Sequence, residues 1–232
     1  MTLAIMQPYL FPYIGYYQLI NSVDKFVVYD DVAFIKQGWI NRNNILLNNK
    51  KHLFFAPVKD ISSFKNISDT YVDYKFDWTK KTLLTIEQGY KKAPYFKDAF
   101  PIVQSVLLTK KETISELAFE SLYQICNYLN VKTQFEKTSK IYNNQDLKST
   151  ERVIDICLRE TAIQYINPIG GQELYNKQEF ADKKITLNFI KTNPITYKQF
   201  NREFIGSLSI IDVLMFNSKE EVTNLLNQYE LI

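Results

Sequence analysis

The sequence is poor in cysteine and histidine, and this scarcity argues against several kinds of site. Cys126 and Cys157 each lie in an apolar helical pattern without a Cys or His cluster, which disfavours structural zinc and predicts buried free thiols. The one histidine, His52, lies in a predicted strand, so Ser-His-Asp and Cys-His catalysis are disfavoured. The sequence also lacks a G-x-S-x-G elbow, a P-loop and a Rossmann G-x-G-x-x-G motif.

Long apolar runs and a strong net charge are missing as well. No uninterrupted apolar run is long enough to span a bilayer, and the N-terminus lacks the basic region of a signal peptide. We therefore expect a cytoplasmic protein without an integral membrane segment, which could still act on a membrane-bound precursor. The formal charge of +3 is too small to predict nucleic-acid binding.

The composition is that of a globular protein, with 46% hydrophobic and 23% charged residues. Sixteen Tyr and sixteen Phe raise the aromatic share to 15%. A genome biased toward A and T also gives such a composition, so the aromatic total alone does not indicate a function. At 232 residues the chain can form one or two domains.

Short apolar segments predict an α/β fold that begins with a βαβ unit. The run 3–6 stops at Gln7-Pro8 and is typical of a buried strand, and 25–29 forms a second strand after a helix that starts near Tyr16. We expect a right-handed crossover and a Rossmann-like parallel sheet, in a single domain spanning 1–232 with a mostly helical insertion at about 78–130. Other predicted elements are a hairpin turn within 43–51, helices at 78–90, 113–129, 149–161 (capped by Ser149) and 178–183, a Pro-flanked stretch at 94–101, strands at 135–141, 164–168 and 186–192, and a helical region from Ser209.

The first candidate site is the loop after the first strand. In a parallel sheet this loop lies at the carboxyl edge, where open α/β proteins bind ligands, and the following helix N-terminus favours an anion. Two prolines stiffen the loop, and a glycine allows close approach. For Phe11 and Tyr17 we favour simple packing over the sheet edge. The candidate binding residues are Gln7, Tyr9, Tyr13 and Gly15.

The second candidate site follows the second strand, in residues 29–43. Adjacent carboxylates at a strand end point in different directions, so one of Asp30 and Asp31 could face a ligand while the other caps a turn. Lys36 and Arg42 could hold a phosphate or carboxylate. An ordinary surface loop with local salt bridges is the alternative. We select Asp30, Asp31 and Lys36 as candidate catalytic residues and Trp39, Asn41 and Arg42 as candidate binding residues.

The C-terminal third adds weaker candidates. A double glycine after a predicted strand could bind phosphate through backbone N–H groups, although it also forms routine turns. Ser209 could cap the last helical region or contact a ligand phosphate. The candidates here are Gly170, Gly171, Tyr175, Tyr197, Gln199 and Ser209.

Five segments of the chain resemble the WbqC-like protein family: QPYLFPYIGYYQLI, DKFVVYDDVAFIKQGWINRN, APYF (93–96), YINPIGGQELY and SLSIIDVLMFN. The resemblance covers nearly the whole chain and implies a role in bacterial surface-glycan biosynthesis, as a transferase-like protein acting on sugar precursors. Two positions depart from the family pattern, since Ala33 stands where the pattern usually has Gln and Asn193 where it often has His. If either polar group takes part in the chemistry, activity or substrate will differ.

A weaker resemblance is to nucleotidylyltransferases, whose His-x-Gly-His motif falls where this chain has Tyr13-Ile14-Gly15-Tyr16. Tyrosine hydroxyls can donate hydrogen bonds to an oxyanion but carry no positive charge. This resemblance implies a related fold with altered or lost nucleotidyl transfer.

Three functions therefore stay open. The first is a transferase for O-antigen-like glycans, with acyl or aminoacyl transfer to an amino sugar as the suggested reaction. In it Asp30 or Asp31 is the general base, Lys36 and Arg42 hold a nucleotide-linked sugar or activated donor, and aromatic rings stack on the ligand. The second is an ATP-dependent ligase or nucleotidylyltransferase-like enzyme, and the third is a non-catalytic sugar-binding protein. The sequence identifies no cofactor, metal ligand or oligomeric state.

Overall fold

The computed structural model describes residues 1–200 and 203–232, which form an α/β fold around a six-stranded sheet. The strands are β1 (Thr2–Met6), β2 (Lys25–Val28), β3 (Arg42–Leu47), β4 (Lys50–Phe55), β5 (Gln134–Glu136), β6 (Gln164–Pro168), β7 (Thr186–Thr192) and β8 (Tyr229–Leu231). The helices are α1 (Ile14–Asn21), α2 (Trp78–Tyr90), α3 (Phe96–Leu108), α4 (Ile114–Tyr128), α5 (Ser149–Arg159), α6 (Lys177–Ala181), α7 (Ile210–Phe216) and α8 (Lys219–Leu225). In this part of the chain, none of the helices is long and apolar enough to cross a membrane.

The sheet has the strand order β5-β2-β1-β6-β7-β8. The first five strands are parallel, and β8 pairs antiparallel with β7. The chain runs outward from β1 to β5 and then returns to continue from β6, so the order reverses between β1 and β6. This arrangement confirms the predicted Rossmann-like sheet and places the most favourable ligand position at the carboxyl ends of its strands.

Alternating residues of the inner strands pack into two hydrophobic cores, one on each face of the sheet. Ala4, Phe26 and Val28 belong to the larger cluster, whereas Leu3 and Val27 belong to the smaller one. Such alternation follows from the period of two along a strand. Cys126 and Cys157 are buried and free, as predicted. Burial raises the pKa of Cys157 to about 12, so this thiol is unreactive at neutral pH.

Strands β3 and β4 form the predicted hairpin outside the main sheet. The turn is tighter than expected, because only Asn48 and Asn49 lie between the strands. Both have positive φ angles, 50° and 61°. Asparagine tolerates this conformation, which matches the twist of paired strands in a two-residue hairpin turn.

Helices α2, α3 and α4 occupy the region predicted to be mostly helical. The Pro-flanked stretch is in fact the start of α3, which runs through Pro101 because Ala99, Val103 and Val106 bury one face. Thr113 caps α4 in a capping box with Glu116. That the whole chain is one domain with an insertion stays a prediction.

Two further local predictions were wrong. The strand expected at 135–141 ends at Glu136, because the chain turns at Ser139 so that its backbone N–H donates to Asp30. Ser149 does not cap α5. It is the first helical residue, and Lys148 holds the cap position without a side-chain bond.

Candidate functional site

The loop after β1, residues 7–13, is fixed by long-range hydrogen bonds. The N–H of Phe11 donates to Ser121 Oγ at 3.0 Å, and its carbonyl accepts from Asn43 Nδ2 at 2.8 Å and from Ser209 Oγ at 2.7 Å. Phe11 is fully buried with a φ of 44°, a conformation that a non-glycine residue rarely adopts. Segments far apart in sequence therefore hold this loop in one shape, as a ligand-binding loop requires.

The fixed loop forms one wall of a cavity of about 260 Å³, which we call the aromatic cavity. It is lined by Tyr9, Pro12, Tyr13, Trp39, Asn43 and Ser207. Tyr13 and Trp39 are about half exposed, so their rings are accessible to a ligand. Burial raises the pKa of both Tyr9 and Tyr13, so their hydroxyls stay protonated and can donate hydrogen bonds.

Arg42 supports the Trp39 wall of the aromatic cavity. Its guanidinium carbon lies 5.8 Å from the centroid of the Trp39 ring, and its Nε donates to the Gly38 carbonyl at 2.8 Å. Arg42 is therefore held in a cation–π contact at the site, with donors left over for an anionic ligand group.

A second cavity of about 310 Å³, the strand-end cavity, shares Tyr13 and Ser207 with the first. It opens where β7 ends, at Thr192 and Asn193. Gly15 makes this arrangement possible, because a Cβ there would collide with the Tyr13 ring and lie 2.6 Å from Thr192 Oγ1. Only glycine lets Tyr13 fold across the start of α1 between the two cavities.

A buried carboxylate lies behind the strand-end cavity. Asp212 is fully buried and accepts hydrogen bonds from Tyr90 Oη at 2.8 Å, Tyr197 Oη at 2.7 Å and Gln199 Nε2 at 2.7 Å. Burial raises the pKa of Asp212, while these hydrogen bonds oppose the rise. Of these two predicted residues, Tyr197 both lines the cavity and holds Asp212, whereas Gln199 holds Asp212 without lining the cavity.

Asp30 borders a separate cavity of about 430 Å³, the Asp30 cavity, at the carboxyl ends of β2 and β5. Its Oδ1 accepts from Thr138 Oγ1 at 2.7 Å and from Ser139 N–H at 3.2 Å, and its Oδ2 accepts from Ser115 Oγ at 2.7 Å. Burial raises the pKa of Asp30, while these hydrogen bonds oppose the rise. A carboxylate oxygen can accept two hydrogen bonds, so Oδ2 retains capacity for a ligand donor.

The rest of the Asp30 cavity is polar and charged. Its rim includes Lys111, Lys137 and Lys140, the first paired with Glu120 at 3.1 Å and the last with Asp69 at 2.8 Å. Within the described residues, the buried Ser68 Oγ in this lining has no hydrogen-bond partner. The same residues include no group of three or more His, Cys, Asp or Glu placed to hold a metal ion.

Asp31 lies beside Asp30 in sequence but in a different environment. Its Oδ2 forms a buried ion pair with Arg152 at 2.5 Å and accepts from Gln145 Nε2 at 2.9 Å, and its Oδ1 accepts from Ser139 Oγ. The Arg152 guanidinium also lies over the Tyr29 ring, 4.9 Å from its centroid. These contacts occupy the Asp31 carboxylate and favour a structural role for it.

The remaining predicted residues lie outside the cavities. Asn41 Nδ2 donates to the Ala56 carbonyl at 2.8 Å, and Ser209 Oγ caps α7 by accepting from Ile211 N–H at 3.2 Å. Lys36 is exposed on the loop after Phe34. The Gln7 carbonyl accepts from Tyr16 Oη at 2.6 Å.

The double-glycine segment forms a short turn after β6, with Gly170 exposed. Gly171 packs closely against the Asn167 side chain, and the Tyr175 ring packs edge-on to Tyr165 at 6.1 Å. A phosphate site at this turn stays a prediction.

Sequence reasoning did not select Asn43, Thr192 or Ser115 as site residues. Thr192 is the last residue of a correctly predicted strand, so the rule that ligands bind at strand ends could have found it. Asn43 closes the second candidate segment. Ser115 reaches Asp30 from 85 residues away, and no local signal indicates that contact.

Comparison with known proteins gives one family. A sequence model of the WbqC-like protein family matches residues 7–224. An uncharacterized protein of Mycobacterium tuberculosis is 30% identical over 226 residues, which cover 96% of each chain. An uncharacterized ATP-binding protein of Methanocaldococcus jannaschii is 17% identical over 195 residues, 81% of this chain and 50% of that protein. No solved structure matches the chain.

Proposed function

Because the chain belongs to the WbqC-like protein family, we propose that it is a transferase that acts on a nucleotide-linked sugar in bacterial surface-polysaccharide biosynthesis. The reaction we favour is acyl or aminoacyl transfer to an amino sugar. Family membership is compatible with an enzyme but does not define the reaction, so the proposal depends on what the cavities can bind.

The aromatic cavity is the observation that carries the proposal. Tyr9, Tyr13 and Trp39 offer ring faces, and Asn43 and Ser207 offer neutral polar atoms at the same cavity. A sugar presents apolar C–H faces and hydroxyls, so stacking together with a few hydrogen bonds suits it. Arg42, held against Trp39, supplies the positive charge that a diphosphate needs.

Asp30 is the candidate general base. Transfer to an amine or hydroxyl requires removal of a proton, and a carboxylate with a raised pKa is a stronger base than an exposed one. Asp30 follows β2 and Tyr9 follows β1, which are neighbouring parallel strands in the sheet. Both cavities therefore lie at one edge of the sheet, and in this proposal the second reactant enters the Asp30 cavity.

The experiment is a thermal-shift screen of nucleotide sugars on the native protein, Tyr13→Ala and Trp39→Ala. A ligand that binds only the native state raises the melting temperature by mass action. We expect a nucleotide sugar to stabilise the native protein and to bind roughly three- to tenfold more weakly to each variant, because a stacking ring is lost.

Tyr71→Ala is the matched control, since Tyr71 is 50% exposed against 45% for Tyr13 and lies outside the aromatic cavity and the strand-end cavity. Equal binding by all four proteins would refute the site. Binding without turnover over a range of acyl donors would instead favour a non-catalytic sugar-binding protein.

A nucleotide-using enzyme is the second candidate. The strand-end cavity lies at the start of α1, where the helix N-terminus favours a phosphate, and one relative is described as ATP-binding. The one histidine, His52, is exposed on β4. Histidine-based nucleotidyl transfer is thus not supported. Stabilisation by ATP with magnesium alone, followed by pyrophosphate release, would favour this candidate over the transferase.

A further inference from the structure

Two loops next to the aromatic cavity pair with each other. Ala33 bridges antiparallel to Asn66, and the Phe34 N–H donates to the Lys65 carbonyl at 2.9 Å. Ile35 and Phe64 are the next residues along these two segments. Phe34 is buried at 2% exposure, whereas the next residue, Ile35, faces solvent.

Large apolar side chains on these loops are exposed. Phe64 is 99% exposed, Ile61 55% and Ile35 49%. Single exposed apolar residues are normal on a protein surface, but several at adjoining loop tips indicate an interaction site. We call Ile35, Ile61 and Phe64 the Phe64 patch. Trp39, four residues after Ile35, is 48% exposed and lines the aromatic cavity.

The same two segments are basic. Residues 33–42 and 59–66 carry Lys36, Arg42, Lys59 and Lys65 against a single acid, Asp60. Their net charge of +3 equals that of the whole chain. Lys65 and Asp60 are 3.7 Å apart with exposed side chains, so this pair leaves the positive field largely intact.

We propose that the Phe64 patch docks on the surface of an anionic lipid bilayer. Phe64 and Ile35 enter the interfacial region, while Lys36 and Lys59 contact lipid phosphates. Apolar side chains that gain burial, combined with lysines near an anionic surface, are the two contributions that hold peripheral proteins on membranes. Docking in this way directs the mouth of the aromatic cavity, at Trp39, toward the bilayer. The proposal does not depend on the reaction catalysed.

Vesicle co-sedimentation of the full chain tests the docking. Vesicles contain three parts phosphatidylcholine to one part phosphatidylglycerol, and phosphatidylcholine vesicles serve as the neutral reference. We expect binding to the anionic vesicles alone, weakened by salt. Phe64→Ser should weaken it roughly tenfold, and Lys36→Gln and Lys59→Gln each several-fold.

Leu174→Ser is the matched control, because Leu174 is 70% exposed on the loop after β6 and should leave binding unchanged. Melting temperatures verify that the variants fold, which is expected since Phe64 is almost fully exposed. A second readout is Trp39 fluorescence, which should shift to the blue on docking, whereas Trp78 is 7% exposed and should not respond.

Three outcomes would overturn the proposal. They are no binding to anionic vesicles, equal binding by Phe64→Ser and native protein, or self-association through Phe64 in lipid-free solution. The last outcome would show that the patch is an interface between two copies of the chain. Sugar binding is measured separately, so failure here leaves the proposed transferase function untouched.

Discussion

The aromatic cavity and the Asp30 cavity lie at the same edge of one sheet but differ in the chemistry of their walls. The first is lined by aromatic rings and neutral polar groups, with Arg42 in contact with the Trp39 ring. The second is lined by a buried carboxylate, a serine hydroxyl without a partner among the described residues, and lysines at its rim. Rings and neutral groups suit recognition of a sugar, whereas a buried carboxylate suits proton transfer.

Three carboxylates near these cavities differ in their hydrogen-bond and ion-pair partners, and this difference distinguishes a group available for catalysis from structural groups. Asp30 and Asp212 are held by neutral donors, and burial raises the pKa of each. Asp31 is held by a guanidinium at 2.5 Å. Asp30 lines the Asp30 cavity, whereas Asp31 and Asp212 line none of the three cavities described above. Asp30 is therefore the carboxylate we expect in the chemistry, and the following experiments test this comparison.

The largest effect on turnover is expected for Asp30→Asn. Turnover of the nucleotide sugar identified by the thermal-shift screen should fall by roughly a hundredfold or more, because a positioned general base is lost. Nucleotide-sugar affinity should stay within about twofold, since the aromatic cavity is unchanged. Steady-state kinetics and ligand titration separate the two quantities. Asp60→Asn, which changes an exposed carboxylate near Lys65 outside the three cavities, is the matched control and should keep its turnover.

Undiminished turnover in Asp30→Asn would show that the Asp30 cavity does not supply the general base. The Asp30 cavity would then be a surface depression, and the base would have to be sought at the aromatic cavity.

How far the sequence could predict these features depends on how local their causes are. Apolar runs and turn residues predicted β1, β2, β7 and α2 because strand and helix periodicities are local properties. The tyrosines of the loop after β1 were predicted to bind a ligand because a strand end precedes them. That Asp31 meets Arg152, or that Ser115 meets Asp30, depends on packing between segments about a hundred residues apart. Two adjacent aspartates thus looked equivalent in the sequence and are not equivalent in the fold.

A stability experiment on Arg152 tests the structural assignment of Asp31. Arg152→Met should lower the free energy of unfolding by about 3–5 kcal/mol, because it leaves a buried carboxylate without its partner. Urea denaturation measures the change. Arg159→Met on the same helix is the control, and should cost only about 1 kcal/mol because Arg159 pairs with Asp155 near the surface. Adding Asp31→Asn to Arg152→Met should recover part of the loss. Similar losses for the two single variants would mean that Asp31 is not a buried structural charge.

The smallest effect we test is the change in the pH dependence of stability caused by Asp212→Asn. Burial raises the pKa of Asp212 above its ordinary 3.8, so the folded state keeps a proton that the unfolded state has already released. The stabilisation is therefore complete below the unfolded pKa and is lost as pH rises through the folded pKa. Urea unfolding over a series of pH values should show this decline in the native protein and a weaker decline in the variant. Other carboxylates contribute equally to both proteins and cancel in the difference.

Asp30→Asn should also weaken the decline of the unfolding free energy with rising pH, because burial raises the pKa of Asp30 as well. The two variants should thus agree in their pH dependence of stability but differ in turnover. Asp212→Asn should leave turnover largely intact, because Tyr197 lies between Asp212 and the strand-end cavity. A slope in Asp212→Asn identical to that of the native protein would show that Asp212 is ionised as readily in the fold as in the unfolded chain. A loss of turnover as large as that of Asp30→Asn would show that the carboxylate behind Tyr197 also serves the reaction, and that the chemistry is not confined to the Asp30 cavity.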